Sequence, residues 1–382
     1  MRGVLMKFKT LAILAALPMV ALSQPAAAQN AGDKIANSYI CVFNKNVSRG
    51  AAQAEANRAA QASQAQLKHV YSVAIRGFAV NAAPQAIANM QRNNPNIAYC
   101  EQDQVVTAIQ WQGNKKPGNT GKPGGGGGAQ PPQETPWGIA RVNGGAAGNF
   151  ATAWVIDSGI ELDHPDLNVD VGRSASFVRG NAGDQNGHGT HVAGTIAAYD
   201  NNIGVIGVAP GAPVVAVRVL DRRGSGSTSG VIAGVDYVAQ YGRAGDVANM
   251  SLGGGVSTAL DQAVVNAASG GVRFALAAGN ERDSANNHSP ARANGPNVYT
   301  VSSFAIGDNW SSFSNYGNPP IDFAEPGSSI KSTWTGGGYN TISGTSMATP
   351  HLAGILLQGN VANGGRVNGD PDGNPDVIGV VQ

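Results

Sequence analysis

Cysteine is nearly absent from this chain: 382 residues contain only Cys41 and Cys100. That scarcity excludes a disulfide-stapled scaffold and any four-cysteine zinc or iron–sulfur centre. Charge is sparse as well. Charged side chains make up 13% of the sequence, against roughly 25% in an ordinary soluble domain. The 25 basic and 24 acidic residues leave a formal net charge of +1, so there is no basic excess to form a nucleic-acid footprint. Long apolar runs are missing too, and none reaches the roughly 20 residues that a membrane-spanning helix needs. What is present is a 42% hydrophobic share, enough to bury a sizeable core and too much for wholesale disorder. Glycine is abundant, with 53 residues, and 20 prolines accompany it. The length suggests two or three structural units.

Composition divides the chain into four stretches. Residues 1–28 carry Arg2, Lys7 and Lys9, then an apolar stretch from Leu11 to Leu22, then Ala26-Ala27-Ala28. This is the pattern of a secretory signal peptide cut before Gln29, and it predicts a secreted or periplasmic protein. An uncleaved anchor is the alternative, but the apolar stretch is short for a membrane span. Residues 29–109 are rich in Ala and Gln and hold only three Gly. Strands are predicted at Tyr39–Phe43, Val70–Val80 and Ile97–Val106, with one helix over Ala51–Lys68 and another after Pro84. That rhythm suits a small α+β ferredoxin-like domain. Cys41 and Cys100 fall on its first and last strands, which would be neighbours, so either a disulfide or two free thiols is expected. Residues 110–133 read as an exposed Gly/Pro-rich linker. The run Gly124–Gly128 lacks the Gly-Lys-Ser/Thr of a phosphate loop.

Residues 134–382 form the large unit. Apolar runs at Ala153–Ile156, Pro213–Leu220, Val247–Leu252 and Phe274–Ala278 alternate with helical patterns at His188–Tyr199, Thr228–Tyr241 and Thr258–Ala268. Continuous apolar strands between helices predict an α/β fold with a parallel sheet covered on both faces. Chemistry in such sheets gathers at the carboxyl ends of the strands.

Three separated segments supply the parts for acyl transfer. Asp157 follows directly after an apolar strand; alone, it reads equally well as a turn residue. His188 stands between Gly187 and Gly189, and His191 three residues later leaves a metal pair as an alternative. Ser346 lies among small residues at a helix start, where a plain N-cap is the bland reading. Taken together, a serine needs a base to take its proton, a carboxylate to fix the base, and donors for the oxyanion. Asn280, after the apolar strand ending Ala277-Ala278-Gly279, offers such a donor. The order Asp157, His188, Ser346 is that of subtilisin, and no G-x-S-x-G elbow of the esterases is present.

Residues 134–357 resemble the subtilisin-type serine proteases, and more closely the proteinase K branch. The resemblance rests on Pro136–Arg141 (PWGIAR), Ser251–Gly254 (SLGG), Ser311–Gly317 (SSFSNYG) and Ser343–His351 (SGTSMATPH). It implies a serine endopeptidase with Asp157 as orienter, His188 as base then acid, Ser346 as nucleophile, and Asn280 with the Ser346 N–H as oxyanion hole. It also implies that an extended polypeptide pairs with the edges Gly224-Ser225-Gly226 and Ser251-Leu252-Gly253. Leu252-Gly253-Gly254 and Ala277-Ala278-Gly279 would wall an uncharged first pocket for apolar or aromatic side chains. No cofactor is expected for catalysis, and a monomer is expected.

Residues 39–109 resemble the family's N-terminal propeptide, notably Gly77-Phe78-Ala79 and Glu101–Val106. The implied role is an intramolecular inhibitor released by self-cleavage near Ile109. Calcium is the implied stabilising ion. One implied site draws on Gln133, Asp166 and Asn201 with carbonyls of Tyr199, Ile203 and Val205; a second draws on Asp322 with carbonyls of Pro296 and Val298. After the nucleophile helix only a short, turn-rich tail remains, expected to be solvated, with Asp370, Asp372 and Asp376 as an alternative cation loop. Locating charge along the chain sharpens the near-zero total. Residues 1–109 hold 10 basic and 4 acidic side chains, whereas residues 110–382 hold 15 and 20, which favours association of the two units.

Overall fold

The computed structural model describes residues 30–109 and 130–382; the predicted signal peptide and residues 110–129 of the linker lie outside the described residues. The small unit runs β1 (Lys34–Phe43), α1 (Ala52–Ala62), β2 (Gln66–Tyr71), β3 (Gly77–Asn81), α2 (Pro84–Asn93) and β4 (Ile97–Ala108). Its strands pair antiparallel in the order β4-β1-β3-β2, the ferredoxin-like arrangement. Phe43, Phe78, Ile87, Met90 and Ile97 bury the helices against the sheet. Cys41 and Cys100 sit opposite each other on β1 and β4 and are joined by a disulfide, which resolves the two alternatives.

Two expectations for this unit are corrected. The helix predicted to reach Lys68 stops at Ala62, because Gln64 takes a left-handed φ of 51° and the polar–apolar alternation from Gln66 forms an edge strand. The single strand predicted over Val70–Val80 is instead β2 and β3 with a bend between them. There the backbone N–H groups of Ser72, Val73 and Ala74 all donate to Asp236 of the large unit, at 3.1, 2.8 and 2.7 Å. Those donors cannot serve a strand ladder at the same time.

The large unit continues with α3 (Trp137–Arg141), β5 (Ala153–Asp157), β6 (Ala175–Ser176), α4 (His188–Ala197), β7 (Val214–Arg218), β8 (Ser225–Ser227), α5 (Thr228–Tyr241), β9 (Val247–Met250), β10 (Leu252–Gly254), α6 (Thr258–Ala268) and β11 (Arg273–Ala277). Then come β12 (Val298–Ala305), β13 (Asn309–Trp310), β14 (Ile321–Pro326), β15 (Ile330–Trp334), β16 (Gly338–Ile342), α7 (Thr345–Gln358), β17 (Val361–Arg366) and β18 (Val377–Val381). The main sheet has the order β17-β18-β14-β12-β11-β9-β5-β7-β6, and the run from β18 to β6 is parallel. Alternation along β5 explains how both faces are covered. Trp154 and Ile156 pack with Val231, Val235, Leu260 and Val264 of α5 and α6. Ala153 and Val155 pack with Val192 and Ile196 of α4 and Leu352 of α7. Helices α5 and α6 begin where predicted, each behind a serine whose hydroxyl caps the first turn: Ser227 accepts from Gly230 and Ser257 from Leu260.

Two boundaries move. Gln130–Gln133, placed in the linker, already belong to the large unit, since Pro132 bridges Ile203 and Gln133 N–H donates to Asn202. The tail expected to be solvated is a hairpin, β17–β18, whose second strand extends the parallel sheet beside β14. Ile378 and Val380 reach Phe304 and Ala324, so five residues of apolar strand suffice where no helix could form. The carboxylates expected there as an alternative cation loop hydrogen-bond within the chain: Asp370 accepts from the Asp372 and Asp376 N–H groups, and Asp376 from Ser302 and Asn318.

Glu325 on β14 is fully buried beneath this hairpin, with no side-chain hydrogen-bond partner among the described residues; the Gly379 backbone and the Arg141 guanidinium offset its burial only in part. Gly379 passes so close to Oε1 that a side chain at 379 would collide with it. Burial pushes this carboxyl well above the usual range for glutamate. The folded chain therefore holds this proton more tightly than the unfolded chain. Its contribution to stability is complete below the ordinary value of 4.5 and is lost as pH rises. Glu325→Gln should raise the Tm at pH 8, by the equivalent of about 1–3 kcal/mol, and change it little near pH 4.5. Equal shifts at both pH values in thermal unfolding would refute this.

Candidate active site

The carboxyl end of β5 delivers Asp157, fully buried, to the N-terminus of α4. Its two oxygens lie 2.8 and 2.9 Å from His188 Nδ1, and the Ser158 N–H also donates to Oδ1. Glycines make this approach possible. Gly187 takes φ 107° against the face of Trp334, and a side chain on Gly189 would collide with the Gly159 carbonyl. Asp184 ties the turn together, accepting from Ser158 Oγ, the N–H groups of Asn186, Gly187 and Thr190, and Thr190 Oγ1. His191 points away from this site. Its Nε2 lies 3.0 Å from the Ile330 carbonyl, and burial pushes its pKa down to about 3. Among the described residues no group of three His, Cys, Asp or Glu is placed to hold a metal, so the paired-histidine alternative finds no support.

Ser346 is the second residue of α7, which follows Gly344 and packs against α4. Its hydroxyl donates to the Ser251 carbonyl at 2.9 Å, and Ser251 Oγ returns a bond of the same length to the Ser346 carbonyl. The expected link from Ser346 Oγ to His188 is thus not made, and His188 Nε2 is buried without a partner among the described residues. Asn280, beyond β11, is held by Thr345: both the N–H and Oγ1 of Thr345 donate to Asn280 Oδ1 at 3.0 Å. Its Nδ2 is thereby turned outward, and it donates to the carbonyl of Ile109 at 3.2 Å.

That contact joins the small unit to the site. The end of β4 lies between two edges of the large unit, pairing antiparallel with both. Val105, Val106 and Thr107 face Ser227, Gly226 and Ser225, while Val106, Thr107 and Ala108 face Gly254, Gly253 and Leu252. The Ala108 N–H reaches the Gly224 carbonyl and the Ile109 N–H the Ser251 carbonyl, at 2.9 and 3.3 Å. Ser346 Oγ and Ile109 N–H therefore share one acceptor, which sets the Ile109 backbone beside the serine. Ile109 is itself buried, and a methyl group added to Gly253 would come within 2.9 Å of its Cδ1. Ala277 ends β11 and Gly279 N–H donates to Thr345 Oγ1, but Ala278 packs with Ala285, Ala291 and Ile321 in a separate cluster.

Several organising residues escaped sequence reasoning. Thr345 and Asn315 lie inside quoted motifs but carried no assigned role; Asn315 binds the Ala278 carbonyl and accepts from Glu281 and Asp283, fixing the loop after Asn280. Asp184 and Ser289, whose backbone pairs with Gly254, had no local signal.

The expected ion-site residues also meet. Asp166 accepts from Asn201 Nδ2, Val205 N–H and Tyr339 OH, its own carbonyl takes the Tyr199 N–H, Asn201 Oδ1 takes the Ile203 N–H, and Gln133 Oε1 takes the Asn201 N–H. Asp322 lies beside β12, accepting from the Thr300 N–H, and burial pushes its carboxyl up to about 6. Val298 opens β12, with Pro296 just before it.

A carboxylate–imidazole pair, a serine at a helix start and an amide donor aimed at a strand-bound carbonyl define a subtilisin-like serine endopeptidase. Residues 152–363 match the subtilase family. Alkaline serine exoprotease A of Vibrio alginolyticus is 41% identical over 348 residues, which span 84% of this chain and 60% of that protein. The extracellular serine proteinase of Thermus sp. (strain Rt41A) is 41% identical over 79% of this chain and 70% of its own length. Proteinase R of Parengyodontium album is 36% identical over 85% and 79% respectively. A solved cold adapted subtilisin-like serine proteinase superposes with a TM-score of 0.57 at 44% identity, covering 64% of this chain and 98% of its own. The chain belongs to the subtilase family.

Because Thr345 holds the Asn280 Oδ1 through both its hydroxyl and its N–H, Thr345→Val should lower kcat on peptide substrates about tenfold while KM moves less than about twofold. Steady-state kinetics check this; a raised KM with unchanged kcat would refute it.

Proposed function

We propose that this chain is an exported, self-processing endopeptidase that cuts extended polypeptides through Asp157, His188 and Ser346, beginning with its own Ile109–Gln110 bond. The observation that carries this reading is the Ile109 carbonyl on Asn280 Nδ2, with the preceding residues paired to both cleft edges. Released from Ser251, the Ser346 hydroxyl gives its proton to His188 Nε2 and Oγ attacks that carbonyl. Asp157 holds Nδ1–H and stabilises the imidazolium. The oxyanion takes the Asn280 amide. His188 then protonates the departing nitrogen of Gln110, leaving an acyl-enzyme at Ile109 that water hydrolyses.

After the first cut, residues 29–109 stay bound as a product-like inhibitor, a role supported by the packing of Ile40, Tyr71 and Ile75 in one cluster with α5 and α6. Recognition by main-chain ladders implies broad sequence tolerance. The buried Ile109 side chain against Gly253 favours apolar residues at the first pocket. The signal-peptide pattern and the extracellular relative support export to the outside or the periplasm.

Calcium fits the donor set around Asp166, where a buried carboxyl raised by burial meets only neutral donors. Gln133, Asp166 and Asn201, with carbonyls of Tyr199, Ile203 and Val205, would hold one ion; Asp322, with carbonyls of Pro296 and Val298, would hold another. The ion would supply rigidity and take no part in the reaction.

Ser346→Ala in the full chain should leave the precursor uncut, whereas the parent yields a fragment ending at Ile109; intact mass decides. A cut elsewhere than after Ile109 overturns the register. Chelator should lower the Tm by several degrees, roughly 1–3 kcal/mol for a site of this kind, and an unchanged Tm counts against both ion sites.

A further inference from the structure

One imidazole with no part in the chemistry above faces the loop that carries the oxyanion donor. The Nε2 of His288 is buried without a hydrogen-bond partner among the described residues, and it lies 3.8 Å from Glu281 Oε2 and 3.6 Å from Asp283 Oδ2. These two acidic residues come first and third after Asn280. Arg282 between them takes a left-handed φ of 61°, a conformation that a non-glycine residue keeps only where its surroundings impose it. Asn315 secures the loop from within: it accepts from the Glu281 and Asp283 N–H groups and donates to the Ala278 carbonyl and, at 2.7 Å, to Glu281 Oε2. The imidazole is anchored elsewhere. The His288 carbonyl accepts from the Arg292 N–H, and Ser289 pairs with Gly254 of the cleft edge through both of its backbone groups, at 3.0 and 3.3 Å. Ser289 Oγ also accepts from the Ser257 N–H. The other charged and titratable groups on the adjoining elements are Arg282, Tyr316, Asp261 with its partner Arg292, and Glu101 of the small unit on the Ser257 hydroxyl.

We propose that His288 is a positioning residue for the oxyanion donor: its imidazolium, held between Glu281 and Asp283, ties the loop after Asn280 to an anchor on the cleft edge and so raises turnover. The inference rests on the endopeptidase reading and adds a residue to its machinery. A neutral imidazole carries one N–H, which can serve only one carboxylate. A cation attracts both, and it offsets the repulsion between two anions a single residue apart. Histidine changes charge between about pH 5 and 8, so the brace tightens as pH falls through that range. Asn287 and the Ser284 N–H hold the Asp283 carboxyl below the ordinary carboxylate range, and His288 adds to that effect. The Asp283 charge therefore persists while the imidazole gains its proton. A slack loop lets Asn280 Nδ2 stray from the point where negative charge develops, a loss felt in kcat and little in KM.

The test uses enzyme matured from the full-length chain, with active sites counted by a serine-directed phosphonate, and a fluorogenic peptide with an apolar residue before the cut. Dividing the parent kcat by that of His288→Asn at each pH cancels the titration of His188. The ratio should be about two- to fivefold near pH 5.5, the size expected of two half-exposed ion pairs, and fall to about one near pH 9. Salt at about 1 M should flatten this step. The double variant Glu281→Gln/Asp283→Asn removes the carboxylates and keeps the ring. It should show the same fall, and it carries the test if His288→Asn does not mature. A loss of equal size at every pH overturns the proposal, because the ring then only fills space. A ratio of one throughout, or a step carried by KM, overturns it as well. A parent enzyme that cuts no peptide removes the endopeptidase reading, and the proposal with it.

Discussion

The carbonyl of Ser251 is the point on which the site depends. It accepts from both Ser346 Oγ and the Ile109 N–H, so one oxygen fixes the position of the Ser346 hydroxyl and the register of the end of β4. Ser251 sits between β9, an interior strand of the main sheet, and β10, an edge of the cleft. Its own hydroxyl donates to the Ser346 carbonyl and accepts from Asn249 Nδ2. The direction of the backbone where the chain leaves the sheet is therefore set by buried hydrogen bonds, and the geometry of the site follows from it. While the hydroxyl stays on Ser251, His188 Nε2 faces no acceptor or donor among the described residues.

The same economy of space recurs around the site. Helices α4 and α7 both begin behind a glycine with positive φ, Gly187 at 107° and Gly344 at 155°. A non-glycine residue at either point would be strained. At 187 it would also strike Trp334. These turns let two helix N-termini converge with the carboxyl end of β5, where the fold collects its polar groups. Thr345 and Asn315 are fully buried and need full partnering, which explains why each makes several hydrogen bonds; Asp184, half-buried, ties its turn together in the same way.

Legibility in the sequence followed the range of the signal. Helices α5 and α6 were readable to the residue, because Ser227 and Ser257 mark their starts and apolar periodicity marks their faces. Asp157, His188 and Ser346 could be singled out from the sequence only as a set, since each alone is an ordinary turn or cap residue; the structure pairs Asp157 with His188 and leaves Ser346 on the Ser251 carbonyl. The roles of Asp184 and Ser289 were not readable, because they arise from contacts across 26 and 35 residues, Asp184 with Ser158 and Ser289 with Gly254. Hairpin β17–β18 was missed for a related reason. Val377–Val381 carries a strand pattern too short to stand by itself, and its stability comes from pairing with β14 and from the Phe304 cluster. The overlong first helix shows the converse error: Ser63, Gln64 and Ala65 are tolerable in a helix, and only pairing with β3 makes the next residues a strand.

Charge gives the two units opposite net signs, yet the groups at their interface do not follow that rule. Residues 29–109 carry a small positive excess and the large unit a negative one, which draws them together at long range. At contact, however, the small unit presents Asp103 and Glu101, its acidic minority, to helix N-termini. The large unit answers with Asp236, which takes three backbone N–H groups, with the Arg49 guanidinium of the small unit as a more distant partner. Each of these carboxylates meets oriented peptide dipoles or hydroxyls across the interface. Such partners are fixed by the fold and remain effective where water is excluded, whereas the attraction between net charges weakens with salt. Long-range attraction therefore assists encounter, while the register of β4 in the cleft is set by main-chain ladders and helix ends. Two interactions of different range perform two separate tasks, and only the first is visible in composition.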